Sequence, residues 1–164
     1  MRKARKYALD ILYSADIAGC SVDESMTTYA TMSDHGIPAY SRKLAEGVAA
    51  YDYLIDGYLA PSLNENWTVE RMPPVDRCLA RMAVYEMLYT DTPPAVAISE
   101  AVSLAEELST EASPAFLTGV LGKAATLIPQ TDAETEETAW HVILPEARSP
   151  SQLRTDTETE VQTG

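Results

Sequence analysis

Between residues 44 and 58 the apolar side chains fall at Leu44, Val48, Tyr51, Ile55 and Tyr58, spaced by four, three, four and three. That rhythm belongs to an α-helix, in which side chains three and four residues apart share a face, and it fits no strand. The spacing predicts one helix over 39–59, ended by Pro61. Gly47 and Gly57 lie inside it, where glycine costs about 1 kcal/mol relative to alanine, so close packing against another helix is expected to offset them.

The same rhythm organises the chain as far as about residue 129. Tyr7, Ala8, Ile11, Leu12 and Ala15 predict a helix over 3–19, stopped by Gly19. Ser21 is placed to cap a second helix of about ten residues, with Asp23 and Glu24 favourably set in its first turn. His35, Gly36 and Pro38 end it. After a connector holding Trp67, Arg71 and a Pro-Pro pair, a helix is predicted from Pro74 or Val75 to about Tyr89. Pro93 and Pro94 start the next, with Ile98, Ala101, Val102, Ala105 and Leu108 as its core face. The last opens at Thr110 or Ser113 and turns Phe116, Leu117, Val120, Leu121, Ala124 and Leu127 inward. No stretch alternates with period two for long enough to make a strand, so the fold class is all-α.

Beyond this body the composition changes. Residues 132–164 hold eight acidic and two basic side chains among many threonines, and the short run 140–144 (Trp-His-Val-Ile-Leu) stands isolated in them. The expectation is a helical domain over 1–130 and a disordered acidic tail over 131–164.

The net charge of −13 argues against a polyanionic partner, but its distribution does not. Arg2, Lys3, Arg5 and Lys6 crowd the first turns of the first helix with no acid among them. Cations are unfavourable at that end of the helix dipole, so helix stability does not explain them. An anionic partner would; a merely solvated basic end is the plainer alternative. Exposed charges contribute little to stability, so replacing all four with alanine is expected to leave thermal stability almost unchanged.

Catalytic signatures are missing. There is no glycine-rich phosphate loop, no G-x-S-x-G and no H-E-x-x-H, and neither His35 nor His141 has a second ligand at metal spacing. No cofactor or metal is expected, nor an enzymatic activity. Cys20 and Cys78 read as buried reduced thiols. With no apolar run behind the N-terminal charges and none of about 20 residues elsewhere, the chain is expected to be soluble and cytoplasmic. Pattern alone leaves two candidates, an RNA-binding protein and a helical module that binds only proteins.

Four blocks narrow the choice. Arg2 to Tyr13 (RKARKYALDILY) resembles the basic first helix of the NusB family. Trp67, followed by Asp76 to Glu86 (DRCLARMAVYE), is similar to that family's central signature. Pro93 with Val96 to Ala105, and Phe116 to Lys123 (FLTGVLGK), resemble its two last helices. The resemblance covers about 2–129 in the right order and spacing. It implies an all-helical fold of two small orthogonal bundles. It implies a transcription antitermination factor that binds the boxA element of nascent ribosomal RNA. Its partner there would be NusE, a small-subunit ribosomal protein, and the complex keeps RNA polymerase elongating. On this reading Arg2, Lys3, Arg5, Lys6 and Lys123 are candidate phosphate contacts and Tyr13 and Phe116 candidate stacking surfaces, although core packing explains the two rings as well. Arg77, Arg81 and Glu86, in the central signature, are expected to form structural ion pairs or to dock the partner.

Overall fold

The computed structural model describes residues 1–129, in seven α-helices and two short 3₁₀ turns, with no strand among the described residues. The expectation of a disordered tail over 131–164 lies outside them. Helix α1 (Arg2–Ala18) stops at Gly19, whose φ of 67° is left-handed and favours a residue without Cβ. Helix α2 (Val22–Met32) begins at Ser21, whose hydroxyl accepts from the Glu24 amide at 3.0 Å.

The predicted single helix over 39–59 is two, α3 (Ala39–Ala50) and α4 (Asp52–Leu59), parted at Tyr51 with φ −119° and ψ 23°. At this break the Tyr51 ring lies stacked on Tyr89, 4.6 Å between centroids, and Tyr89 leans on Tyr85. This is a tertiary contact, and the four-and-three spacing carries no trace of it. Tyr85 in turn covers Gly47: a Cβ there would sit 2.2 Å from the ring. The close approach expected at Gly47 is therefore present.

Short 3₁₀ turns at Ala60–Ser62 and Val69–Arg71 lead to α5 (Pro74–Tyr89), opened by proline. Helix α6 (Pro94–Leu108) and helix α7 (Ser113–Leu127) follow. Helices α1, α2 and α3 pack as one bundle and α4 to α7 as a second, and α5 belongs to both because it also touches α1 and α3. That is why α5 is buried nearly all round, from Cys78 through Glu86 save Arg81.

One continuous core joins the two bundles. Ile11, Leu44, Ile55, Tyr58, Leu117 and Leu121 are completely buried, each worth about 1.5–3 kcal/mol of transfer free energy. The inward face of α6 is turned slightly from the one predicted. Ala97, Ala101, Leu104 and Ala105 are buried, whereas Leu108 is 38% exposed. Small alanines on that face let α6 approach α5 closely.

Candidate nucleic-acid interface

The four N-terminal bases occupy different environments. Arg5 points inward. Its Nε and Nη2 donate to both carboxylate oxygens of Glu86 at 2.7 and 2.8 Å, in the planar two-pronged geometry that suits a guanidinium. Its side chain is 7% exposed and that of Glu86 2%. Glu100 approaches the same guanidinium at 3.9 Å, and the Tyr40 ring lies 5.8 Å from it. The hydrogen bonds it donates to Glu86 raise the Arg5 pKa further, against the effect of burial. Arg5 therefore ties α1 to α5 and α6.

The other three bases face outward. Lys6 donates to Glu107 on α6 at 2.5 Å, and Arg2 lies 3.8 Å from the same carboxylate. Lys3 is exposed and sits 5.8 Å from the centre of the Tyr7 ring. Arg2 and Lys6 thus meet around a single acid, and Lys3, with no acid within ion-pair distance among the described residues, lies on the same first turns of α1.

Farther along α1, Tyr13 is exposed on the wall of a groove of about 390 Å³ between α1 and α2, shared with Asp10, Tyr29 and Met32. Phe116 belongs to another face. It is half-buried on the first turns of α7, 5.9 Å from Trp67 between ring centroids. Arg71 lies 5.9 Å from the Trp67 ring. Lys123 is exposed on α7, seven residues after Phe116 and so on the same side of the helix.

The three central-signature residues are bound within the protein. Arg77 donates to Asp16 of α1 at 2.6 Å and to the carbonyl of Glu70 at 3.0 Å, stapling the connector to α1 and α5. Arg81 holds Asp56 of α4 with two bonds of 2.9 and 2.8 Å. Both are structural ion pairs. Placement differs most from the sequence expectation for Arg5 as a phosphate contact and Glu86 as a docking residue. Each is buried against the other, with no surface to present.

Sequence reasoning gave no partners to Asp76 on α5 or Glu107 on α6. Asp76 is 2% exposed and accepts from Ser109 at 2.6 Å and Ser113 at 2.9 Å, fastening the α6–α7 turn to the start of α5. Glu107 was hidden because its partners lie about a hundred residues away. Arg71 had a visible signal, a cation four residues after an exposed tryptophan.

No group of three metal-binding side chains gathers among the described residues. Burial pushes the Cys78 thiol up to about 11, which keeps it protonated and unreactive. No helix among the described residues is long and apolar enough to cross a membrane.

Residues 2–126 match the NusB family. A transcription antitermination protein NusB of Salinispora tropica is 50% identical over 128 residues, covering 76% of this chain and 93% of that protein. Its counterpart in Cutibacterium acnes is 44% identical over 124 residues, 76% of this chain but 48% of that longer protein. NusB of T. maritima superposes with a TM-score of 0.67 at 26% identity, over 76% of this chain and 89% of that one. A structure of the antitermination factors NusB and NusE with double-stranded RNA matches the fold with a TM-score of 0.67 at 22% identity, over 76% and 95%. A family match along nearly all of the described helices, with half of the residues shared with a relative across most of its length, makes this chain a member of the NusB family of transcription antitermination proteins.

Proposed function

We propose that this protein binds single-stranded boxA-type RNA of nascent ribosomal transcripts together with NusE, in the cytoplasm, and so keeps RNA polymerase elongating. The observation that carries this reading is the exposed cluster Arg2, Lys3 and Lys6 on a chain of net charge −13. A cation cluster maintained on an otherwise acidic protein has an anion to meet. Tyr13, Phe116 and Lys123 supply further rings and charge. Unpaired RNA suits them because its bases are free to stack on aromatic side chains. A protein of the same fold together with NusE and double-stranded RNA supports the NusE and RNA parts of the reading, while the choice of single strands rests on the rings named above.

Titration of labelled boxA-like RNA, single- and double-stranded, with and without NusE, tests it. Replacing Arg2, Lys3 and Lys6 together with alanine is expected to weaken binding. It should also flatten its salt dependence by about 0.7 log units for each phosphate that is no longer neutralised. Thermal stability should hardly change, since all three are solvent-exposed pairs or unpaired. Unchanged RNA affinity in the triple variant would remove the basis for the reading. A protein-only interaction module is the competing reading, favoured by exposed Tyr13, Ile17 and Met32. It predicts NusE binding without RNA binding.

A further inference from the structure

Helix α1 carries one stripe that the core does not use. Lys3, Lys6, Asp10, Tyr13 and Ile17 follow one another at spacings of three, four, three and four, so they share a face of the helix. The stripe changes character along its length. Its first half is cationic, and Arg2, Lys3 and Lys6 have only Glu107 among them within ion-pair distance. Its second half is apolar. Tyr13 is 38% exposed and Ile17 60%, and Met32 of α2, which shares the groove with Tyr13, is 82% exposed. Apolar side chains gathered in this way mark a surface that something meets.

The sequence that follows the described residues has the same two parts in the same order. Asp132, Glu134, Glu136 and Glu137 come first, with no base among them, and Trp140-His141-Val142-Ile143-Leu144 comes next. The lengths agree as well. By helical rise, the middles of the cationic and apolar halves of α1 are about 16 Å apart. Seven residues separate the middle of the acidic run from that of the apolar run, and extended they reach about 23 Å, so both can be seated at once. Eleven residues lead from Pro129 to Trp140, up to about 36 Å of chain. A body of this size has a radius of gyration of about 14 Å, so that length passes around it.

We infer that residues 132–144 dock on α1 of their own chain, with the four acids over Arg2, Lys3 and Lys6 and the apolar run in the groove between Tyr13 and Met32. Asp10, the one acid of the stripe, then stands opposite the uncharged Thr138 and Ala139. A tethered segment meets its site at an effective concentration on the order of millimolar, so a shallow groove and a few screened ion pairs suffice to hold it. The docked segment covers the cations and the ring to which RNA binding is assigned, and it must leave before RNA can bind. That consequence, unlike the docking, rests on the RNA-binding reading above.

The test uses the full chain carrying Trp67→Phe, which leaves Trp140 as the only indole. A docked Trp140 emits at shorter wavelength than free tryptophan in water and resists quenching by acrylamide. Ile17→Glu and Met32→Glu, at positions exposed enough to spare the fold, should each move the emission to the red and restore quenching at an unchanged thermal midpoint. Neutral amides in place of the four acids should do so in part. Labelled boxA-like RNA should also move the emission to the red. The variant Ile143→Ser with Leu144→Ser should bind that RNA several-fold more tightly than the parent at low salt, the gap narrowing as salt screens the acids.

Emission like that of free tryptophan, or shielding that Ile17→Glu and Met32→Glu leave intact, overturns the docking. If such exposure goes with loss of NusE binding in Met32→Glu, the groove belongs to a protein partner. Shielding that appears only as the protein is concentrated gives the groove to the segment of a second copy and overturns the docking equally. If RNA binds but the Ile143→Ser, Leu144→Ser variant shows the parent affinity, the covering of the RNA site is overturned and the proposed function survives. If Trp140 is shielded as expected but no form of the protein binds RNA, the proposed function fails and the docking stands.

Discussion

Arg5 and Lys6 are neighbours in sequence, and both find a glutamate on a distant helix. Arg5 meets Glu86 with 7% and 2% of the two side chains exposed, whereas Lys6 meets Glu107 with 43% of each exposed. The inner pair has been taken out of water. Each of its members would be left charged in an apolar setting without the other. The outer pair exchanges one solvated partner for another, so its gain is small and salt-sensitive. One basic helix therefore carries two kinds of cation, one that holds the bundles together and others that remain available to a ligand.

The largest test of this contrast is removal of the inner cation. Arg5→Ala strands Glu86 and should destabilise the protein by about 3–5 kcal/mol, seen in urea or thermal unfolding. Glu86→Ala should cost a similar amount. The double variant should lose much less than the sum of the two, because neither charge is then left unpaired. This overturns the expectation that all four N-terminal bases can be replaced at little cost in stability. A loss confined to RNA affinity, with stability intact, would place Arg5 with the outer cations after all.

A steric version of the same contrast compares glycines. Gly47 is on the inner side, against the buried Tyr85 of α5, whose hydroxyl burial pushes up to about 12. Gly47→Ala must displace that ring and should cost about 1–3 kcal/mol despite the better helix propensity of alanine. Combining it with Tyr85→Leu should recover part of the loss. On the outer side, the same change at Gly119 meets nothing. Equal tolerance at both positions would contradict the packing described for α3 and α5.

What could be read in advance follows from how local each cause is. Helix ends at Gly19, Ser21 and Pro74 are set by residues within one turn, and they were legible. So were most of the buried positions of α3, α4 and α7, because helical spacing reports burial, although Tyr51, Phe116 and Leu127 are only partly buried. The break at Tyr51 was not, since the Tyr89 ring that stacks on it lies on another helix. Charge told even less. Nothing in the run from Arg2 to Lys6 distinguishes the one base that turns inward, because Glu86 lies 81 residues away. The candidate residues were therefore found by type and by resemblance. Their division into structural and available groups needed the three-dimensional arrangement.

The smallest effects belong to the outer pair, and they decide whether its cations are available. The Lys6 hydrogen bond, and then its charge, hold the Glu107 carboxyl below the usual glutamate range of about 4.3. A carboxyl whose folded value is depressed contributes stability above its unfolded value and loses it as pH falls through the folded one. Glu107→Gln and the parent should therefore differ slightly in thermal midpoint at neutral pH and converge in acid below that range. A side-chain carboxyl titration by NMR should show the depressed value in the parent and the ordinary one in Lys6→Ala. An ordinary value in both would mean that the pair does not persist in solution. Because Glu107 also lies 3.8 Å from Arg2, it competes for the cations that the RNA reading requires. Glu107→Gln should then bind RNA more tightly than the parent at low salt, with the gap closing as added salt screens the internal acid. A constant gap across the salt series, or none, would show that RNA does not displace Glu107 from these cations.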